Sequence, residues 1–464
     1  MIAVESVERQ GTAPVGRLLL QYSLPAVAGF LANALYQLVD RILVGRGVGT
    51  DAMAAVTCAY PFTILSMGVG LLLGTGTGNQ VSTFLGQGRR EDAERVLGQS
   101  VRLGLILGGA FALTYIVFAR PLLRLTGADE GLLVMAVPYL RITAIGQVCL
   151  IAIISMGNII RVQGRPGLGL AFMAGGNGLN ALLCAWAIFG LHLGVAGAAL
   201  ATTVTQLLSL GLILLFAQSR LSILHLRRSN LLADRRLARS ILSLGAPVFF
   251  MQVLGTLVFL AANWGATALG GARGVATVGA INTVVMVLIF PALGVTQAMQ
   301  PLVAYNRGAG RPDRVRALLA RVLAATLVMG CAFAAIVSLV PGPVASLFTR
   351  SDAELVDMLR RGLPWFMVSV AVFGLQGTAA YYFLAVHRPK PAGILLLGRQ
   401  LLAMPMFLVL PRLFGITGLF AVGLCSDLPF AVMAALLLRS EWRQLALAAH
   451  EPPLVPSSQA LVLE

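Results

Sequence analysis

Charged side chains are scarce in this chain. Asp, Glu, Lys and Arg make up 11% of its 464 residues, against about 25% in a typical soluble domain. Hydrophobic residues make up 58%, and the mean hydropathy is +0.86. A water-soluble fold of this length cannot cover its surface with so few charges. The composition therefore excludes an ordinary soluble protein and indicates a protein embedded in a membrane.

Acidic residues are scarcer still, with 18 Asp and Glu against 34 Lys and Arg and a formal net charge of +16. A basic balance is also typical of proteins that bind nucleic acid. Here, however, the basic residues lie in short segments between long apolar runs, where positive charge orients a protein in a membrane. We therefore expect no nucleic-acid partner and take the lipid bilayer as the surroundings of the chain.

Cysteine and histidine are few and form no metal or catalytic pattern. The five cysteines are scattered in apolar surroundings, without a CxxC pair or metal-ligand spacing, which predicts buried free thiols and no metal site. The four histidines fall in predicted loops or in the C-terminal tail, and no HExxH or GxSxG motif is present. A membrane-embedded enzyme is thus the least supported function, and no cofactor is expected.

Apolar stretches of the chain are long enough to cross a bilayer, which takes roughly 20 helical residues. They predict an all-α integral membrane protein with twelve transmembrane helices, at about 18–44, 52–84, 93–119, 131–160, 165–190, 193–217, 238–268, 276–304, 316–340, 356–386, 391–411 and 416–438. Residues 1–17 are polar with mixed charge, so we expect no cleavable signal peptide and an uncleaved first span.

The basic residues outside the spans are distributed unevenly between the two sides of the membrane. The loops after even-numbered spans, together with the two tails, carry 23 Arg and Lys, and the opposite side carries nine. Positively charged loops stay in the cytoplasm. Both termini are therefore predicted to be cytoplasmic, as an even number of spans requires.

The two halves of the chain resemble each other. Residues 23–25 align with 245–247 and residues 86–89 with 308–311 at an offset of 222; residues 164–166 meet 387–389 at 223, and Phe189-Gly190 meets Phe414-Gly415 at 225. Because each half has six spans, both cross the membrane in the same sense. We predict two six-helix bundles, 18–217 and 238–438, related by a pseudo-two-fold axis along the membrane normal. Residues 218–237 form the cytoplasmic linker, and 1–17 and 439–464 are cytoplasmic tails.

Asp40 is an ionisable residue inside the first apolar span. A charge at mid-bilayer costs about 2.5 to 3.5 kcal/mol on insertion scales, so such residues usually face a cavity and mark an ion or proton pathway. Asn33, Tyr36 and Asp40 share one helical face, as expected for a cavity wall. The alternative is that Asp40 only makes structural hydrogen bonds to neighbouring helices. Pro25 lies in the same span and predicts a bend or hinge.

Other polar residues lie inside the spans. Asn177, Asn180 and Cys184 again share one helical face, with Asn177 a cavity candidate. In the second half, Arg399 and Asp427 lie within spans 11 and 12 and are expected to form an ion pair. Further candidates for a cavity lining are found in spans 7 and 8, since polar and Met side chains there can adapt to varied apolar compounds: Gln252, Asn282 and Met286.

Four stretches resemble the multidrug and toxic compound extrusion (MATE) transporters, in particular their bacterial MepA-like branch. They are Leu24-Pro25 followed by residues 36–40 (YQLVD), residues 157–166 (GNIIRVQGRP), residues 193–202 (LGVAGAALAT) and residues 300–310 (QPLVAYNRGAG). The resemblance covers about residues 15–440. It implies a monomeric exporter of the bacterial cytoplasmic membrane that moves small organic molecules, cationic and amphipathic, outwards in exchange for protons or sodium ions.

The resemblance also implies a cation-coupling site in the N-terminal bundle. Asp40 matches the family's aspartate in the first helix, Asn180 its asparagine in the fifth and Thr202 a threonine in the sixth. Cys184 departs from the pattern, because many relatives have a second aspartate there. A thiol is a poor ligand for a hard cation that prefers oxygen. The departure favours protons over sodium ions as the coupling ion.

A lipid-linked oligosaccharide flippase of the same superfamily is the alternative function. Such a protein needs a cationic cavity for a pyrophosphate, and only Arg141 and Arg399 lie within predicted spans without being counted among the basic residues of the two sides. The sequence therefore favours the exporter.

Overall fold

The computed structural model describes residues 2–346 and 353–448, and every regular element within these ranges is helical. The helices are α1 (Ile2–Thr12), α2 (Val15–Gly47), α3 (Thr50–Gly86), α4 (Arg90–Val117), α5 (Ala119–Leu125), α6 (Glu130–Val162), α7 (Pro166–Ala185), α8 (Gly194–Gln218), α9 (Arg235–Gly308), α10 (Pro312–Leu339), α11 (Pro341–Ser346), α12 (Ala353–Ala385) and α13 (Pro389–Ala448). A π-helical turn, Trp186–Gly190, continues α7, and a 3₁₀ turn, Arg228–Leu231, precedes α9.

Eleven apolar segments in the described ranges are long enough to cross a membrane. Helix α9 supplies two of them, Arg235–Thr267 and Ala276–Gly308, on either side of the non-helical Gly271. Helix α13 has 60 residues and a non-helical Gly415, whereas a single crossing takes roughly 20. It therefore contains two spans, and the prediction of an all-helical protein with twelve spans is confirmed.

Local sequence fixes where several helices begin. The Asp129 carboxylate accepts a hydrogen bond from the backbone N–H of Leu132 at 2.8 Å and caps α6. Asp234 does the same before α9, accepting from the N–H groups of Arg236 and Leu237. These carboxylates satisfy backbone donors that the first turn leaves unpaired.

Backbone conformation supports the internal repeat. Gly88 and Gly310, which the repeat aligns, have φ angles of 73° and 66°. Gly164 and His387, a second aligned pair, have φ angles of 83° and 59°. Both pairs lie in loops between spans, and both adopt the left-handed conformation that most residues avoid. The equivalent loops of the two halves therefore make the same turns.

The last aligned pair needs a correction. Gly415 has φ 58° and ψ −142°, and its counterpart by conformation is Gly194, with φ 57°. The sequence alignment paired Gly415 with Gly190, which ends the π-helical turn. That turn uses extra residues at the end of α7, and the pair Gly194 and Gly415 accordingly has an offset of 221 (415 minus 194), below the 223 of the preceding pair. Gly271, with φ 53° and ψ −136°, makes a turn of the same kind in α9.

The chain divides into two compact units. Unit 1 comprises Met1–Ala13 and Ala28–Phe249, and unit 2 comprises Pro14–Val27 and Phe250–Glu464. The first part of α2 thus belongs to unit 2 and the first part of α9 to unit 1. The exchange points, after Val27 and after Phe249, lie just beyond Pro25 and Pro247, which the repeat aligns. The predicted bundles, which kept each of these helices whole, did not anticipate the exchange.

Glycines explain why the exchanged segments pack where they do. In unit 2, a Cβ at Gly294 would lie 2.9 Å from the Val27 backbone nitrogen. In unit 1, a Cβ at Gly76 would overlap the Ile241 carbonyl oxygen, and one at Gly245 would overlap the Leu72 carbonyl oxygen. Backbones this close require a residue without a side chain.

The predicted tails and linker contain structure that the sequence did not reveal. Helix α1 lies within the N-terminal tail, where the Gln10 amide donates to the Val162 carbonyl at 2.7 Å. The linker is bound to unit 1: the Gln163 side chain accepts from the Ile223 N–H at 2.8 Å, and Arg227 pairs with the buried Glu94 at 3.4 Å. The segment that joins the two halves is therefore a fixed part of unit 1.

We predict that Gly76→Ala destabilises the protein, because the new methyl group would overlap the Ile241 carbonyl of α9. Overpacking of this kind costs about 1–3 kcal/mol. Thermal unfolding of the purified protein in detergent measures it. Gly78→Ala is the matched control on the same helix, because a Cβ there meets its nearest neighbours at 3.7 Å. Equal melting temperatures for the two variants would contradict the packing described.

Candidate functional site

The polar stripe of α2 faces the interior of unit 1. Asn33, Tyr36 and Asp40 are half-buried, whereas Leu35 and Leu38, on other faces of the same helix, are 63% and 58% exposed. The two exposed leucines thus face the lipid. The carboxylate of Asp40 is turned away from the lipid, as a functional charge within a span should be.

Tyr36 connects α2 to two other helices. Its hydroxyl donates to the Asn180 Oδ1 on α7 at 3.1 Å, and it also lies against the Thr202 side chain on α8. The Thr202 hydroxyl donates to the Ala198 carbonyl one turn earlier, at 3.0 Å. Asn180 is buried, with 4% of its surface exposed. The structure thus places together Asn180 and Thr202, which the resemblance implied for the coupling site.

Cys184 contacts the Asp40 carboxylate directly. It lies one turn beyond Asn180 on α7, is fully buried, and its thiol hydrogen-bonds to Asp40. On its other side it packs in an apolar cluster with Val44, Ile188 and Ala198. A thiol donates only weakly and carries no charge. At this position Asp40 therefore meets a neutral neighbour.

Tyr139 of α6 completes the site and was missed by the sequence analysis. It interacts electrostatically with Asp40 and Cys184 and packs against the same apolar cluster. Its position beside Pro138, within an apolar span, was a possible signal. Helical spacing does not show which face of α6 meets α2, so the sequence alone could not connect Tyr139 to Asp40.

Neutral side chains make the contacts that the structure gives for Asp40. Two tyrosines and a thiol interact with its carboxylate, and an amide and a hydroxyl contact Tyr36. No group of three or more His, Cys, Asp or Glu that could hold a metal ion occurs in residues 2–346 or 353–448. Asn177, one turn before Asn180, has a buried side-chain nitrogen without a hydrogen-bond partner in these ranges.

The remaining cavity candidates belong to unit 2 and are not part of the Asp40 cluster. Gln252 and Asn282 are half-buried on α9, and Met286 is 53% exposed on the same helix. Their role as cavity lining stays a prediction.

The expected ion pair is present in unit 2. Arg399 Nε donates to Asp427 Oδ1 across the two spans of α13. The Asp427 side chain is 2% exposed and that of Arg399 is 31% exposed. Pairing offsets much of the cost of holding an aspartate in an apolar bundle.

Comparison with known proteins agrees with this architecture. The MatE family model matches residues 25–186 and 247–409. The two matched segments begin at Pro25 and Pro247, the prolines that precede the exchange points. The multidrug export protein MepA of Staphylococcus aureus strain MSSA476 is 23% identical over 419 residues, which cover 89% of this chain and 92% of that protein. An FAD transporter of Shewanella oneidensis is 26% identical over 404 residues, covering 85% and 87%.

A crystal structure of a MATE protein in the bent conformation has the same fold. It superposes with a TM-score of 0.88 at 23% identity and covers 97% of this chain and 100% of that one. The fold and the family model together confirm the resemblance seen in the sequence: the chain belongs to the MATE family and is a multi-pass membrane transporter, not an enzyme.

Proposed function

We propose that this protein is a secondary active exporter that moves amphipathic organic cations out of the cell in exchange for protons. The observation that carries the proposal is the Asp40 carboxylate, set within a membrane span among neutral side chains. A carboxylate in such a place binds and releases a proton as the site opens to one side of the membrane or the other. The similarity to a multidrug export protein supports efflux of varied compounds.

The donors around Asp40 support protons as the coupling ion. Sodium is a hard cation that several oxygen ligands must surround, and a thiol is a poor substitute. Cys184 hydrogen-bonds to Asp40 at the position where the resemblance implies a second carboxylate. A single carboxylate with neutral neighbours needs only one proton to become neutral.

Pro25 is the proposed hinge that links this proton to movement. Proline removes a backbone hydrogen bond and permits a helix to bend. In α2 it lies close to the point where the helix passes from unit 2 to unit 1. Asp40 lies on the unit 1 side of that point. A change in its contacts therefore acts on a helix whose two parts belong to different units.

The setting and the range of substrates complete the proposal. We place the protein as a monomer in a bacterial cytoplasmic membrane with both termini in the cytoplasm, following the excess of basic residues on one side. The partners are the lipid bilayer and small organic molecules. One relative is an FAD transporter, so organic anions belong among the compounds to test beside cations.

We predict that Asp40→Asn abolishes proton-driven export, because an amide keeps the shape of the carboxylate but cannot take up the coupling proton. Accumulation of a dye inside inverted membrane vesicles under an imposed pH gradient measures export. The rate for Asp40→Asn should equal the background rate of vesicles that lack the protein. Asp51→Asn is the control, since Asp51 is an exposed carboxylate in the first turn of α3. Normal transport by Asp40→Asn would overturn the proposal.

We predict that Cys184→Asp makes export respond to a sodium gradient. The second carboxylate would stand beside Asp40 and supply both the charge and the oxygen ligands that sodium prefers. The same vesicles with a sodium gradient in place of the pH gradient measure the change. Cys184→Ser, a neutral replacement of similar size, should stay driven by protons alone. Sodium-driven export by the wild type would contradict the choice of coupling ion.

We predict that reporters fused to either terminus lie in the cytoplasm. Green fluorescent protein fused to the N- or C-terminus should fluoresce, whereas alkaline phosphatase fused there should be inactive. Activity of the phosphatase at either end would contradict the orientation derived from the excess of basic residues in the tails and in the loops after even-numbered spans.

A further inference from the structure

Arg399 is fixed through one of its nitrogens and keeps the other two available. Its Nε donates to Asp427 Oδ1, while Nη1 and Nη2 make no hydrogen bond to any residue in the described ranges. The carboxylate that holds it is almost completely buried, at 2% exposure, whereas the Arg399 side chain is 31% exposed. The guanidinium is therefore held by a buried carboxylate, while part of the Arg399 side chain remains exposed.

Arg399 lies on the buried face of span 11. Leu395, Leu396 and Ala403 lie at helical spacing on the face of Arg399 and are buried. Ile394 and Leu401 lie on another face and are 53% and 57% exposed. The Arg399 side chain thus leaves span 11 from the face that packs inside unit 2, not from its more exposed face.

A simple brace does not account for this arrangement. A guanidinium and a carboxylate frequently form two parallel hydrogen bonds. Here Asp427 uses one oxygen, and its Oδ2 has no partner in the part of the chain that the structure describes. Arginine stays charged at any physiological pH, so its outer N–H groups need acceptors. Their planar fork matches a carboxylate or a phosphate.

We propose that Arg399, positioned by Asp427, binds the carboxylate or phosphate group of an exported organic compound. The inference rests on the proposed function and extends its substrate class from cations to anions and zwitterions. Asp427 has a second effect in this arrangement. Its negative charge weakens the electrostatic attraction of the site for an anion, so the ligand can leave as well as bind, which a transport cycle requires.

A pair of dyes that differ in a single group tests the proposal: a rhodamine with a free benzoate and the methyl ester of the same rhodamine. Their binding to the purified full-length protein is measured by fluorescence anisotropy. Arg399→Gln should weaken binding of the free acid about tenfold or more, because it loses a charge-assisted pair of hydrogen bonds. It should change binding of the ester less than about twofold. Arg399→Lys should recover only part of the loss, since lysine lacks the fork.

Two further variants keep the test decisive. Arg141→Gln is the control: Arg141 also lies inside a span, is exposed and donates to the Ile116 carbonyl at 3.1 Å, and its replacement should leave both dyes unaffected. Arg399→Gln/Asp427→Asn leaves no unpaired buried charge, so it should fold even if Arg399→Gln does not, and it should show the same selective loss.

Two results would contradict the anion site. No binding of the free acid by the wild type, or an equal effect of Arg399→Gln and the double variant on acid and ester, would overturn the anion site and leave a structural brace. Export is scored separately with the ester in vesicles. If the wild type does not export the ester, the proposed function fails, whatever the binding data show.

Discussion

A carboxylate inside a membrane span is the constraint on which the rest of this structure depends. Lipid offers Asp40 no hydrogen bonds, so the surrounding helices must supply them. Cys184 of α7 does so directly, while Tyr36 and Tyr139 bring α2 and α6 to the same point. These three neighbours carry no charge, whereas the Asp40 carboxylate can gain or lose one proton. One proton is then enough to change the electrostatics of the whole cluster.

The helices that pass from one unit to the other connect protonation of Asp40 to the rest of the fold. Helix α2 begins in unit 2 and ends in unit 1, with Pro25 just before the boundary, and α9 makes the reverse exchange just after Pro247. Close glycine contacts hold each segment in its unit, as at Gly294 and Val27. Asp40 lies farther along the same helix as Pro25. The proposed proton site and the proposed hinge are therefore parts of one element, and no chain of intermediate contacts is needed to connect them.

Much of this was predictable from the sequence, and the reasons for the misses are physical. The length of the apolar stretches predicted the twelve spans, and helical spacing predicted that Asn180 and Cys184 share one face. Spacing within one helix does not show which neighbour that face meets, so Tyr139 was missed. The exchange at Pro25 depends on contacts between segments that are far apart in the chain, which local patterns do not encode. The π-helical turn Trp186–Gly190 shifted the alignment near Gly415, because residue counting assumes a regular helix.

Proton release on substrate binding tests the central claim most directly. A cationic dye is added to purified protein in weakly buffered detergent solution, and the protons released are counted with a pH indicator. Over a series of pH values, the wild type should release up to about one proton for each dye bound, because one carboxylate changes its protonation state on binding. Asp40→Asn should still bind the dye and release none. Equal release by both proteins would show that the coupling proton resides elsewhere and would contradict the account.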